Sequence, residues 1–420
     1  MTGMKHQLKI FTPAALLVLL AFVVAYQFIK PAPPDKVVMA SGSEQGAYHA
    51  FAQSYARHLA AEGIELQIVN TAGSVDNIER LRNGSVDVAL LQGGIPDEGD
   101  GEEVHSLGSL YYEPLWLFAR EGLNLDRLSA LADVRVAVGQ EGSGTLALVQ
   151  RLLRDNGLDA NQDRFVRIGD KDAADSLLAG EVDAAFFVSS AQSPLVSRLL
   201  RQPDIRLASF ERADAYARRY RFLTRLDLPE GAVDLQRNIP PRPVRLLAPA
   251  ANLVVNADIH PAVIDLLLQA AEQAHADGDW FEERGQFPQA DLLAYPLARE
   301  AKRYYKYGPP FLQRYLPFWA ASLIDRLKVM LLPLVLMLLP LLKVMPPIYT
   351  WRMRSRVYRW YEELERVDRQ LVEDGGADHQ ALAAELDRIE NDVRAVHVPL
   401  SFAHQLYHLR QHIELVRRRL

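Results

Sequence analysis

Hydrophobic and polar positions follow two periods in turn along the first part of the chain. Residues 36–40 and 64–69 read as strands, the second from the alternation of Ile64, Leu66 and Ile68. Between them Tyr48, Phe51, Tyr55 and Leu59 recur at intervals of three and four, as on one helix face. "TAGSVDNIERLRNG" then reads as a loop, a helix opened by Ser74 and a stop at Gly84, and "VDVALLQ" as the next strand. Strand, loop and helix twice over predict a mostly parallel sheet with covering helices. The pattern returns in "VRVAVGQEGSGTLALVQRLLRDNG" and "RFVRIGDKDAADSLLAGEVDAAFFV". "LRNGSVDVALLQ" and "LLAGEVDAAFFV" share a glycine, a spacer, Val-Asp and an apolar strand, so two similar α/β units are expected near 35–110 and 120–240. Such a pair is what a two-lobed binding protein shows.

Two segments carry another pattern. Residues 10–29 include no charge and follow Lys5 and Lys9. About 20 apolar residues span a bilayer, whereas a cleavable signal has an apolar region of roughly 7–15. Anchor and cleaved signal both stand as readings, with the same direction of export. Residues 329–348, "VMLLPLVLMLLPLLKVMPPI", form a second candidate span, followed by Arg352, Arg354, Arg356 and Arg359. Positive charge tends to stay inside. Two spans place both termini in the cytoplasm and residues 31–328 outside, at the inner (cytoplasmic) membrane. A buried or interfacial helix is the competing reading of 329–348.

Composition narrows the classes. The 420 residues suffice for two or three domains, and a net charge of −6 carries no basic signature for nucleic acid. The absence of cysteine excludes a disulfide framework, a Cys-ligated zinc site and a lipoprotein anchor.

The candidate chemistry lies in the turns. "SGSEQGAY" and "GQEGSGT" each join the end of a strand to the start of a helix. First-turn N–H groups lack helical partners and the dipole end there is positive, so a carboxylate or phosphate can sit against them. Glycine admits close approach and Ser or Thr adds a hydroxyl. In open α/β sheets ligands bind beyond the carboxyl ends of the strands, so two facing lobes bring both turns to one cleft.

These residues resemble the solute-binding subunits of tripartite ATP-independent periplasmic (TRAP) transporters, in the TAXI branch. Gly42, Ser43, Gly46 and Tyr48 match its first turn, and "TAGSVDN", with Ser74 and Asn77, its "GGS-x-x-N" loop. Leu90, Leu91 and Gln92 match a strand end, "YYEPLWLFAR" a hinge strand, Gly142–Thr145 the "GSGT" loop, and "GEVDAAFFVSSAQSPLV" a further segment. The likeness covers about 36–310. It implies a two-lobed type II periplasmic-binding fold, α/β in class, that closes on a small carboxylate or amino acid and delivers it to membrane permease subunits. The implied ligand-binding residues are Ser43, Gly46, Tyr48, Ser74, Asn77, Gln92, Ser143, Gly144, Thr145 and Ser189. Helix capping competes with ligand contact at Ser74, and core packing competes with it at Tyr48. Trp116 and Phe187 read as core or as pocket walls. Glu44-Gln45 departs from the family's small spacer: an acid there repels an anion, selects a cationic group, or points to solvent.

The implied organisation is an N-terminal anchor or signal over 1–34 and a binding domain over 35–310, with lobe 1 about 35–115 and 245–310 and lobe 2 about 116–244. A membrane-proximal segment and second transmembrane helix occupy 311–350, and a cytoplasmic helical tail 351–420. The tail has three apolar stripes: Val357, Trp360, Leu364, Val367 and Leu371; Leu382, Leu386, Ile389, Val393 and Val396; and Phe402, Leu406, Leu409, Ile413 and Val416. They predict helices packing on one another or on a partner. His404, His408 and His412 share a helix side, but no carboxylate accompanies them, so no metal is assigned. No nucleophile elbow or triad context is present, and Asp170 and Asp172 read as first-turn acids. No catalytic residue and no cofactor is expected. Two functions remain: a solute receptor for a transporter, or a membrane sensor that reports solute binding through its helical tail.

Overall fold

The computed structural model describes residues 31–44, 46–95, 103–373, 379–396 and 398–420, with 16, 19, 20, 23 and 24. These fall into two compact units: Pro31–Ile324, and Asp325–Leu420 together with the described residues before Pro31.

The first unit runs through β1 (Lys36–Gly42), α1 (Ala47–Ala61), β2 (Glu65–Asn70), α2 (Ser74–Arg82), β3 (Val88–Gln92), β4 (Val104–Tyr112) and β5 (Leu115–Arg120). It continues through β6 (Val136–Ala137), α3 (Gly144–Asp155), β7 (Phe165–Val166), α4 (Asp170–Ala179), β8 (Ala184–Val188) and α5 (Pro194–Leu200). Then come β9 (Ile205–Leu207), α6 (Ala213–Arg219), β10 (Thr224–Leu228), β11 (Val244–Ala248), β12 (Ala250–Asn256), α7 (Pro261–His275) and α8 (Arg299–Tyr307). One sheet has the order β2-β1-β3-β12-β4, the other β10-β11-β5-β8-β6-β7, with β9 beside β5.

The repeat seen in the sequence is real at this level. β1-α1-β2-α2-β3 and β6-α3-β7-α4-β8 have the same element order, and both pair in parallel as second-first-third strand. The second repeat starts at Val136, however, not near 120, because β5 belongs to the passage between lobes. Both sheets are also mixed instead of mostly parallel: β12 is antiparallel to β3 and β4, and β5 to β8 and β11. The reason is the double crossing of the chain, β4 to β5 and β11 to β12. A strand arriving from the other lobe enters where the repeat strands end, so it runs against them.

Strand alternation divides the first lobe's core between two faces. Val37, Met39, Val88 and Leu90 pack with Tyr55 and Leu59 of α1 and Leu267 of α7, while Ala40, Ala89 and Leu91 pack with Ile78 and Leu81 of α2. His275, at the end of α7, is buried beside Phe51 and stacked on Tyr111, with ring centroids 4.2 and 5.3 Å away. Its Nε2 lies 2.8 Å from the Tyr55 hydroxyl, and burial pushes its pKa down to about 3, so it packs as a neutral ring. In the second lobe Trp116, Phe118 and Phe186 form one core with Val149 and Leu153 of α3.

A long helix, α9 (Phe318–Glu373), leads into the second unit, followed by α10 (His379–Arg394) and α11 (Ala403–Arg417). Val357, Trp360, Leu364 and Val367 pack with Leu382, Leu386, Ile389 and Val393 and with Leu409, Ile413 and Val416. The three stripes therefore cover one another, and His404, His408 and His412 are left exposed on α11. Among the described residues no helix is long and apolar enough to cross a membrane. Most of the expected N-terminal span lies outside the described residues. The expected second span, 329–348, is part of α9. Leu386 is fully buried, so Leu386→Ala is expected to cost about 2–5 kcal/mol by cavity formation. Hydrogen exchange across α10 and α11 of the full chain measures it; unchanged protection would contradict the shared core.

Candidate functional site

The two crossings lie side by side. The Glu113 N–H donates to the Pro249 carbonyl and the Gly93 N–H to the Ala250 carbonyl, each at 2.9 Å. Next to this seam, between the lobes, is a cavity of about 100 Å³. Four strand-to-helix turns line it: Gly42–Ser43 before α1, Ala72–Gly73 before α2, Gly139–Ser143 before α3 and Gly169 before α4. The repeat explains why, since the carboxyl ends of β1, β2, β6 and β7 all point to the cleft.

Not all four helix ends remain open to a ligand. Val75 and Asp76, in the first turn of α2, donate to the Gly142 carbonyl of the opposite lobe at 3.1 and 3.4 Å. α4 begins with the Asp170 carboxylate, itself on the cavity wall. α1 and α3 have no acid in their first turns and bring Gly46, Ala47, Gly144 and Thr145 to the cavity. Partnerless N–H groups and the positive dipole end make these two termini the anion-attracting part of the site.

Nine of the expected binding residues line this one cavity: Ser43, Gly46, Tyr48, Ser74, Gln92, Ser143, Gly144, Thr145 and Ser189. Asn77 does not. Its Nδ2 donates to the Leu90 carbonyl at 2.7 Å and its Oδ1 accepts from Thr71 Oγ1 at 2.5 Å, so it ties α2 to the sheet. Several of the nine are already engaged. Ser143 caps α3, accepting from the Leu146 N–H at 3.1 Å, and donates to the Gln140 carbonyl at 2.6 Å. Ser74 accepts from the Gln92 N–H at 2.9 Å. The Thr145 hydroxyl bonds to none of the described residues. Trp116 is core, its Nε1 donating to the Ser189 carbonyl at 3.0 Å, while Phe187 is both buried and part of the wall. Glu44 is exposed.

Direct bonds join the lobes around the cavity. Ser43 Oγ donates to Asp170 Oδ2 at 2.7 Å, Gln140 Nε2 to the Ala72 carbonyl at 3.0 Å, and Gln92 Nε2 to the Gly144 carbonyl at 3.1 Å. Glycine is required at this seam. Gly73 has φ +131°, and a Cβ there would lie 3.1 Å from the Ser143 Cα across the cleft; at Gly144 it would lie 2.5 Å from Gln92 Oε1. Gly73→Ala is expected to push the lobes apart. Small-angle scattering on the full chain in detergent reads this as a larger radius of gyration, and an unchanged profile would count against the tight seam.

Among the wall residues to which the sequence gives no ligand role are Gln140, Asp170 and Glu113. Asp170 was legible only as a first-turn acid. Glu113 had a signal, an acid between the apolar strands "LYY" and "LWLF", but no partner in the sequence to give it a role. It is 4 % exposed, and accepts from the Tyr48 hydroxyl at 2.8 Å and the Tyr111 hydroxyl at 3.4 Å. Burial pushes its pKa up to about 8, against those two hydrogen bonds. Because the folded value is raised, the contribution to stability is fully present below about 4.5 and is lost as pH rises toward about 8. The slope approaches about 1.4 kcal/mol per pH unit. Glu113→Gln is therefore expected to gain stability over the native chain at pH ~8 relative to pH ~5. Thermal unfolding at both values checks this, and an equal difference at the two would contradict a neutral Glu113.

A partly open polar cavity between two α/β lobes joined by a double crossing defines the class: a two-lobed α/β protein with a ligand-sized cleft between its lobes. The chain belongs to the NMT1-like family, whose pattern matches residues 39–306. Solved structures with a similar fold include the periplasmic aliphatic sulphonate binding protein SsuA from Escherichia coli. It is 19% identical, with 58% of this chain and 73% of that one covered and a TM-score of 0.37. The alkanesulfonate-binding protein SsuA from Xanthomonas axonopodis pv. citri, bound to MOPS, is 16% identical, with 58% and 74% covered and a TM-score of 0.38. The BenM effector binding domain with its effector benzoate is 13% identical, with 61% and 100% covered and a TM-score of 0.38.

Proposed function

We propose that the chain is a membrane-anchored extracytoplasmic receptor of a TRAP-type secondary transporter. It binds a small carboxylate or amino acid between its lobes and hands it unmodified to permease subunits. The observation that carries this reading is the meeting of α1 and α3 on one cavity, each entered from the matching turn of its repeat. A carboxylate placed there gains from two helix ends and from the Thr145 hydroxyl. No Lys, Arg or His lines the cavity among the described residues, so dipoles and hydroxyls supply the attraction. The one serine that meets a carboxylate in the wall, Ser43 against Asp170, has no histidine beside it among the described lining residues, which favours binding over conversion.

The anchoring part of the proposal rests on the uncharged run 10–29 and the apolar run 329–348 followed by four arginines. It puts the binding domain outside the cytoplasmic membrane and both termini inside. The packed helices of the second unit favour a second reading, a sensor that passes occupancy of the cavity to a cytoplasmic partner.

The test is thermal unfolding of the full chain in detergent with acetate, pyruvate, succinate, 2-oxoglutarate, L-glutamate and L-glutamine. A solute that binds only the folded chain stabilises it by about 2.7 kcal/mol at a hundredfold excess over its dissociation constant. At least one acid is expected to raise the melting temperature. Thr145→Ala should weaken its binding by about 0.5–1.5 kcal/mol, the worth of one hydrogen bond. No shift with any of the six would overturn the carboxylate reading. Permease subunits copurifying from native membranes favour the transport role, and a histidine kinase in their place favours the sensor.

A further inference from the structure

Glu113 is the residue at which β4 leaves the first lobe, and its backbone is fixed to the second crossing through the Pro249 carbonyl. Its side chain reaches the cavity yet is 4 % exposed. The titratable groups facing it are Tyr48 of α1 and Tyr111 of β4, both held neutral by burial, so that only two hydroxyls meet the carboxyl group. From β8 the cavity receives the apolar Phe187, and from the rim Asp170, an exposed acid already held by Ser43. No cation lines the wall among the described residues. A buried carboxylate without a cation carries a large desolvation penalty, and the group takes up a proton instead.

The solute site proposed above puts an anion into the same space. The ends of α1 and α3 and Glu113 line the same cavity, so the solute's carboxylate and the Glu113 carboxyl group share one cleft. Two like charges brought together there, poorly screened by solvent, repel strongly. A neutral carboxyl group removes the repulsion and can offer its O–H to the solute.

We infer that Glu113 is a specificity-determining residue of the cavity: it meets the solute as an uncharged carboxylic acid, so that an anionic solute is bound together with a proton. This rests on the carboxylate reading. The consequence runs in one direction. An anion in the cavity holds the proton on Glu113 more tightly, so affinity is level while Glu113 is protonated and falls once the pH passes its ionisation near 8. A solute presenting an ammonium group to Glu113 would do the reverse, displacing the proton and binding better as pH rises.

The experiment is calorimetric titration of the full chain in detergent with pyruvate, succinate and 2-oxoglutarate, none of which titrates in the range used, at pH ~6.5 and ~9.0. With Glu113 ionising at about 8, the dissociation constant of a binding acid should rise about tenfold between these values. At the higher pH nearly one proton should be taken up per solute, read from buffers of different ionisation enthalpy. Glu113→Gln should bind at both pH values without the change. Glu282 is the competing group, since it accepts from the Tyr112 N–H and burial also pushes its pKa to about 8; Glu282→Gln should keep the native pH dependence. Affinity that is flat with pH in the native chain, that rises with pH, or whose fall persists in Glu113→Gln overturns the inference while leaving the receptor reading intact. Failure of all three acids to bind at either pH overturns both. Should Glu113→Gln fail to fold, carbon-13 titration of the native glutamate carboxyl groups decides. No resonance titrating near pH 8 overturns the inference, and one that persists in Glu282→Gln supports it.

Discussion

Between β4 and β5 the chain leaves one lobe, between β11 and β12 it returns, and there the Glu113 N–H donates to the Pro249 carbonyl at 2.9 Å. That bond holds the two passages at one height. With two connections the lobes can rock about the seam but cannot slide or twist freely, so the turns that meet across the cavity meet in a fixed register. Ser43 finds Asp170, and Ala72 finds Gln140, because the crossings leave one way to bring the lobes together. The same place sets the electrostatics: a carboxyl group rooted in the seam cannot swing out to water, and its neighbours are hydroxyl groups and rings.

The repeat supplies the rest. Each lobe contributes a first and a second strand-to-helix turn, and the lobes use them in different ways. The first turns keep open helix ends. The second turns do not invite an anion: two N–H groups of one are taken by a carbonyl from the opposite lobe, and the other carries an aspartate in its first turn. A pattern present twice in the chain thus yields a site with a polarity, attractive to an anion along one diagonal and already satisfied along the other. Convergence of like elements on a cleft gives a wall that has no basic side chain among the described residues two helix ends that attract negative charge.

Much of this was legible in the residues. The helix and strand periods of 36–92 and 136–188 follow from burial of one face, which composition at each position reports directly. Of the nine expected site residues that line the cavity, seven lie at strand-to-helix turns, where glycine and hydroxyl residues advertise unusual backbone geometry, and Gln92 and Ser189 lie at strand ends. What could not be read were properties created by distant partners. The resemblance marked "YYEPLWLFAR" as a hinge strand, but the apolar run Leu115–Ala119 gives no sign that it opposes its neighbours. Asn77 looks like its neighbour Ser74, and only the packing of α2 on β3 sends one to the cavity and the other to the Leu90 carbonyl. Glu113 acquires its character from burial among partners distant in the chain, Tyr48 among them, 65 residues away.

The carbonyl of Gly142 ends two orphan N–H groups of α2 from across the cleft. A helix capped by the other lobe is complete only while the lobes touch, so separation exposes two donors that water must then serve. Part of the free energy of lobe closure therefore belongs to the chain itself and is the same for every solute. The affinity of any one solute is its intrinsic affinity scaled by the fraction of chains already poised to receive it. Evolution can raise or lower the affinities of all solutes together by altering this one loop, leaving the choice among them untouched.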